Sequence, residues 1–137
     1  MTGGLVKGNK AGCGGGIYTN NRGNSISGGT ITENEATVEG GGIYAGYRLL
    51  LTGVEISLNK SAFAGAVAAY KDALTLGENV YIPWGAKIEN GTLVKAAGMN
   101  DLGIVDGEGD PNEYVTLSAN LSKHSKEDPI ALTRYEW

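Results

Sequence analysis

Apolar residues recur along this chain in short blocks separated by glycines and single polar residues, and the blocks repeat. Val6, Ile31 and Ile56 stand 25 residues apart, each between polar or small neighbours. Met1, Ile26 and Leu51 keep the same spacing, with Leu74 read as their fourth member, and so do Asn9, Asn34 and Asn59. Gly14-Gly15-Gly16-Ile17-Tyr18 returns as Gly40-Gly41-Gly42-Ile43-Tyr44 at an offset of 26, and again, degenerate, as Ala64-Gly65-Ala66-Val67-Ala68. Glycine runs and β-branched residues disfavour helix in these blocks. Each copy is therefore expected to hold two or three short strands joined by tight turns.

The length of the repeat narrows the architecture. A helix-pair repeat needs 33 or more residues and a propeller blade about 40. No L-x-x-L-x-L run recurs, so a leucine-rich repeat does not fit. The expectation is an all-β fold: a right-handed, single-stranded parallel β-helix (a solenoid) with about 25 residues per coil, closed by an irregular C-terminal β segment. Residues one period apart would then lie about 4.8 Å apart on neighbouring strands. Val6/Ile31/Ile56, Ile17/Ile43/Val67 and Met1/Ile26/Leu51/Leu74 would form three aliphatic ladders, and Asn9, Asn34 and Asn59 would stack at a turn.

Composition divides the chain. Of the 23 glycines, 17 precede Pro83, while the whole net charge of −4 falls after Ile82. Residues 1–82 are read as repeat coils, 83–117 as a closing β segment and 118–137 as a polar tail, whose end at residues 131–137 reads either as a strand or as a disordered terminus. In the closing segment Lys87-Ile88-Glu89, Thr92-Leu93-Val94, Leu102–Val105 and Tyr114–Leu117 read as strands, with Asn90-Gly91 as a hairpin turn. The acidic balance argues against nucleic acid as a partner. No apolar run is long enough to cross a membrane as a helix. No secretory signal is present in this sequence.

Candidate chemistry is sparse. One cysteine and one histidine supply neither a zinc cluster nor a disulfide framework. Cys13 aligns with Glu39 and Phe63, a variable position. Lys10, Glu35 and Lys60 share one row and read as cross-strand charge pairing. Glu33 falls between Gly8 and Leu58, and Arg22 shares an approximate position with Arg48. Tyr18, Tyr44, Tyr47 and Tyr70 could form an aromatic stripe that stacks on sugars, or serve simply as strand residues. Asp106-Gly107-Glu108-Gly109-Asp110 reads either as an acidic turn or as a calcium-wrapping loop. Gly12 and Gly14–Gly16 lack the G-K-[ST] of a phosphate loop. No catalytic residue, metal ligand or cofactor is assigned.

The blocks Ile26-Ser27-Gly28-Gly29-Thr30-Ile31…Asn34 and Gly40-Gly41-Gly42-Ile43-Tyr44 resemble the G-G-[AG]-I and F-x-x-N repeats of polymorphic outer-membrane proteins and related glycine-rich, bacterial surface β-helix repeats. The resemblance spans roughly residues 1–94. Val6, Ile31 and Ile56 replace the aromatic of F-x-x-N, and the third copy has lost two of its glycines. The resemblance implies a non-enzymatic, secreted or cell-surface module acting as adhesin, spacer or carbohydrate-contacting surface. The alternative is part of a polysaccharide lyase or glycoside hydrolase β-helix. Expected partners are a cell-surface glycan or a host surface protein. Met1 already occupies a ladder position, so further coils N-terminal to Met1, or another chain covering the open end, are also expected.

Overall fold

The fold is taken from a computed structural model. It describes residues 1–70, 74–83, 86–90, 92–95, 99–105, 115–117, 123–124, 130 and 132–135. The protein is all-β: the described residues form strands and turns and no helix.

Each of the first two repeat copies contributes four strands. The first holds β1 (Leu5–Lys7), β2 (Lys10–Cys13), β3 (Ile17–Thr19) and β4 (Asn24–Ile26); the second holds β5 (Gly29–Thr32), β6 (Glu35–Glu39), β7 (Ile43–Ala45) and β8 (Leu49–Leu51). The third keeps β9 (Val54–Ser57), β10 (Val67–Tyr70) and β11 (Leu74–Leu76). Equivalent strands pair in parallel, in the orders β1-β5-β9, β3-β7-β10, β4-β8-β11 and β2-β6. In the last of these, isolated bridges carry the pairing on to Lys60 and Phe63.

The register places repeat-related residues side by side. Val6 faces Ile31 and Ile31 faces Ile56. Ile17 faces Ile43, which faces Val67. Met1 lies opposite Ile26, because its N-terminus donates to Ser25 O at 3.3 Å and its carbonyl accepts from Ser27 N at 2.8 Å. The change of offset from 25 to 26 has a local cause. Ala11 faces Ala36 but Cys13 faces Glu39, so β6 carries one extra residue as a bulge.

One ladder assignment is corrected. Leu51 is continued by Leu76, not by Leu74, which pairs instead with Leu49. Leu49, Leu51, Leu74 and Leu76 all lie inside. The 25-residue period selects Leu76 for Leu51 and Leu74 for Leu49; the match of Leu74-Thr75 to Leu51-Thr52 points instead to the other leucine of an equally apolar pair. Arg22 likewise sits beside Tyr47 rather than Arg48, since Asn24 pairs with Leu49.

Inward residues of the three sheets meet in one core. Ile31, Ile56, Ile43, Val67, Leu51 and Leu76 are at most 1% exposed and belong to a single cluster. Each such side chain contributes roughly 1.5–3 kcal/mol through burial.

Beyond the repeats the pattern persists irregularly. Tyr81 bridges to Glu55, extending the β1-β5-β9 pairing. A hairpin then interrupts it: β12 (Ala86–Glu89) pairs antiparallel with β13 (Thr92–Lys95), with Glu89 facing Thr92 across Asn90-Gly91. After it, β14 (Leu102–Val105) adds in parallel to β10, β15 (Val115–Leu117) to β11, and β16 (Leu132–Tyr135) to β14. Residues 132–135, at the end of the tail that reads either as strand or as disordered terminus, form a strand that continues the Ile17/Ile43/Val67 sheet. Their offset of 30 from Leu102 departs from the repeat period, which is why spacing did not reveal them.

Candidate functional site

The turn after each β1-equivalent strand is built around asparagine. The preceding residues Gly8, Glu33 and Leu58 all adopt left-handed backbone, with φ of 69°, 54° and 56°. This bend aims the Asn side chain inward along the stack. Asn34 Oδ1 accepts from both the backbone N–H and the side-chain amide of Asn9, each at 3.0 Å. Asn59 Oδ1 does the same for Asn34 at 3.0 Å, and Asn100 Oδ1 for Asn59 at 3.2 Å. The amides of Asn34, Asn59 and Asn100 also donate to Val6 O, Ile31 O and Ile56 O. The Asn34, Asn59 and Asn100 amides are thus each both acceptor and donor, as a buried amide requires, while Asn9 at the exposed end of the row donates.

Asn100 was not anticipated as the fourth member. It lies 41 residues past Asn59 because the β12–β13 hairpin intervenes. The usable signal was Asn90-Gly91, which marks an insertion to be removed before counting the period.

The glycine triplets pack against this row. A Cβ on Gly42 would lie 3.0 Å from Asn59 Nδ2 and 2.6 Å from Ala66 O. One on Gly41 would collide with Lys60 O and lie 2.6 Å from Gly65 O. The middle glycine, whose Cβ would meet backbone of two neighbouring segments, is the one retained in all three copies as Gly15, Gly41 and Gly65. In the third copy Asp101 supports the turn, accepting from Gly65 N through its carboxylate at 2.8 Å and from Ala66 N through its carbonyl at 2.9 Å.

Three of the four candidate stripe tyrosines come together outside the β3-β7-β10 sheet. Tyr18 and Tyr44 stack with ring centres 4.7 Å apart and planes 5° from parallel; Tyr70 meets Tyr44 edge-on at 5.9 Å. Tyr44 and Tyr70 cover Ala64 and Ala68. Burial, then the contact with Tyr70, raises the Tyr44 hydroxyl well above the ordinary phenol range. The stacking covers one face each of Tyr18 and Tyr44, and Tyr18 remains 57% exposed. Tyr47 lies elsewhere, with the Arg22 guanidinium 5.8 Å from its ring centre.

The row Cys13–Glu39–Phe63 forms as the alignment expects. The Cys13 thiol lies 3.9 Å from Glu39 Oε1. Burial first, and the Glu39 charge second, push this thiol above its ordinary value, the opposite of what a reactive cysteine needs. Glu39 is 6% exposed, its carboxyl is raised by burial, and its Oε2 has no hydrogen-bond partner among the described residues.

Lys10 and Lys60 flank Glu35 at 3.1 and 3.4 Å. The hydrogen bond from Lys10 leads in holding the Glu35 carboxyl below its ordinary range. A carboxylate kept ionised between two lysines serves poorly as a general acid. Glu33, between Gly8 and Leu58, pairs with Lys7 at 3.1 Å. The acidic run Asp106–Asp110 lies outside the described residues. Among the described residues no three His, Cys, Asp or Glu side chains are grouped to hold a metal ion, and no helix is long and apolar enough to cross a membrane.

Comparison with protein-family models, curated protein sequences and solved structures finds no match for this chain.

Proposed function

We propose that the parallel sheets are the faces of one right-handed, single-stranded parallel β-helix, and that the protein is a non-enzymatic, surface-displayed segment of such a helix. It acts as a rigid spacer or adhesin that contacts glycans or a host surface protein outside a bacterial cell. The observation that carries this reading is the asparagine row. Asn9, Asn34, Asn59 and Asn100 bond in one continuous series, each linking its copy to the next. Such a series propagates copy by copy, as a repeat architecture requires. The likeness of the Gly-Gly-Thr-Ile and Gly-Gly-Gly-Ile-Tyr blocks to bacterial surface repeats supports the location.

The test is to pass the full chain over an immobilised panel of surface glycans and to analyse the supernatant for released oligosaccharides. Retention without release supports a contact module. Released fragments with new chain ends would overturn it in favour of a polysaccharide lyase or glycoside hydrolase.

A further inference from the structure

We infer that the outer face of the β4-β8-β11-β15 sheet is a binding groove for a linear uronic-acid glycan, with Arg22 and Arg48 as the carboxylate-binding groups. The inference rests on the reading of the protein as a glycan-contacting module and assigns the class of glycan and its place.

The groove follows from register. Outward positions of the four strands align as Ser25, Leu50, Thr75 and Thr116. They form the floor of a depression of about 660 Å³ that reaches Gly23 and Arg48 at one margin. A second depression of about 580 Å³ shares Gly23 and Arg48 and adds Arg22 and Tyr47. The two depressions thus adjoin at Gly23 and Arg48. Three strand spacings make the floor about 14 Å long, suited to a short oligosaccharide lying across the strands rather than to a single ring.

The chemistry of the lining is one-sided. Among the described residues no carboxylate lines either depression. Among the described residues the ion pairs involve Lys7, Lys10 and Lys60, and neither arginine. Both arginines are exposed, and Arg22 is held over the Tyr47 ring. Guanidinium groups bind carboxylates through two parallel hydrogen bonds, and prior packing on an aromatic ring lowers the ordering cost. Hydroxyls on the floor match sugar hydroxyls, and the 39% exposed Leu50 offers an apolar spot for a sugar's C–H face. Two guanidinium groups suit one carboxylate per sugar; they are few for a polymer carrying several sulfates per disaccharide.

The experiment is calorimetric titration of the full chain with hexagalacturonate, against neutral maltohexaose and a sulfated heparin hexasaccharide. Hexagalacturonate is expected to bind, more weakly as salt rises. R22Q/R48Q should lose at least tenfold in affinity with an unchanged Tm. K10Q/K60Q, on a different sheet, should lose nothing. Equal binding of hexagalacturonate by the wild type and R22Q/R48Q would overturn the groove assignment. Preference for the sulfated sugar would overturn the uronate class, and arginine-independent binding of maltohexaose the charge argument, while glycan contact itself survives in both cases. Binding of none of the three overturns this inference. It reaches the broader reading only if the immobilised glycan panel is also negative.

Discussion

Asn59 accepts two hydrogen bonds from Asn34 through one oxygen, from the backbone N–H and from the side-chain amide, both at 3.0 Å. Asn34 itself is fully buried. Truncating it to alanine removes the acceptor of the part-buried Asn9 backbone N–H, the donor to Val6 O and one of the two donors to Asn59 Oδ1. Asn34→Ala should destabilise the protein by about 3 kcal/mol. Asn9→Ala, on the exposed end of the row, should cost less than about 1 kcal/mol. Urea unfolding of the two variants checks the contrast.

The aliphatic row carries most of the burial. Ile31 lies between Val6 and Ile56 and is fully buried. Ile31→Ala should cost about 2–5 kcal/mol, and Ile31→Asp should unfold the middle copy. Glu35→Ala, which removes only exposed pairing with Lys10 and Lys60, should leave Tm nearly unchanged. Circular dichroism melts of the three variants measure this, and equal Tm values for Ile31→Asp and Glu35→Ala would contradict the packing.

These rows were legible because identity and spacing agree over the first two copies. Val6/Ile31/Ile56 and Asn9/Asn34/Asn59 pair at a fixed offset of 25, and Cys13/Glu39/Phe63 pairs at 26 and then 24, on either side of the extra residue in β6. The Asn90-Gly91 hairpin was equally plain, because its turn chemistry is local. Legibility failed where residue identity competed with spacing: Leu74-Thr75 matches Leu51-Thr52 in type, while the period selects the equally apolar Leu76. It failed again where an inserted hairpin displaced Asn100 from the count. The groove was the least visible feature. Ser25, Leu50, Thr75 and Thr116 repeat no single residue type at a fixed spacing, and only the register brings them together with Arg22 and Arg48.

Leu58 offers a test of the turn geometry. It is 67% exposed and holds φ of 56°, the position that Gly8 fills in the first copy. A left-handed leucine costs about 1–2 kcal/mol, against about 0.5–1 kcal/mol for the added chain entropy of glycine. Leu58→Gly should therefore stabilise the protein by roughly 0.5–1 kcal/mol, read as a higher urea midpoint at constant slope.

Glu39 makes stability depend on pH. Burial raises its carboxyl in the folded chain, with the Cys13 thiol partly opposing. The folded state thus binds this proton more tightly than the unfolded one. Its contribution is complete below the unfolded value of about 4.3 and is lost as pH rises through the raised folded value. Glu39→Gln should stabilise the protein near pH 8 and change it little near pH 3. Denaturant unfolding at both pH values checks the sign.

The most direct test of the account is a methyl–methyl NOE spectrum of the full chain labelled at Ile, Leu and Val methyls. The account predicts cross-peaks linking Val6 to Ile31, Ile31 to Ile56, Ile17 to Ile43, and Leu51 to Leu76. Well-dispersed methyl signals lacking the Val6–Ile31 and Ile31–Ile56 contacts would contradict it.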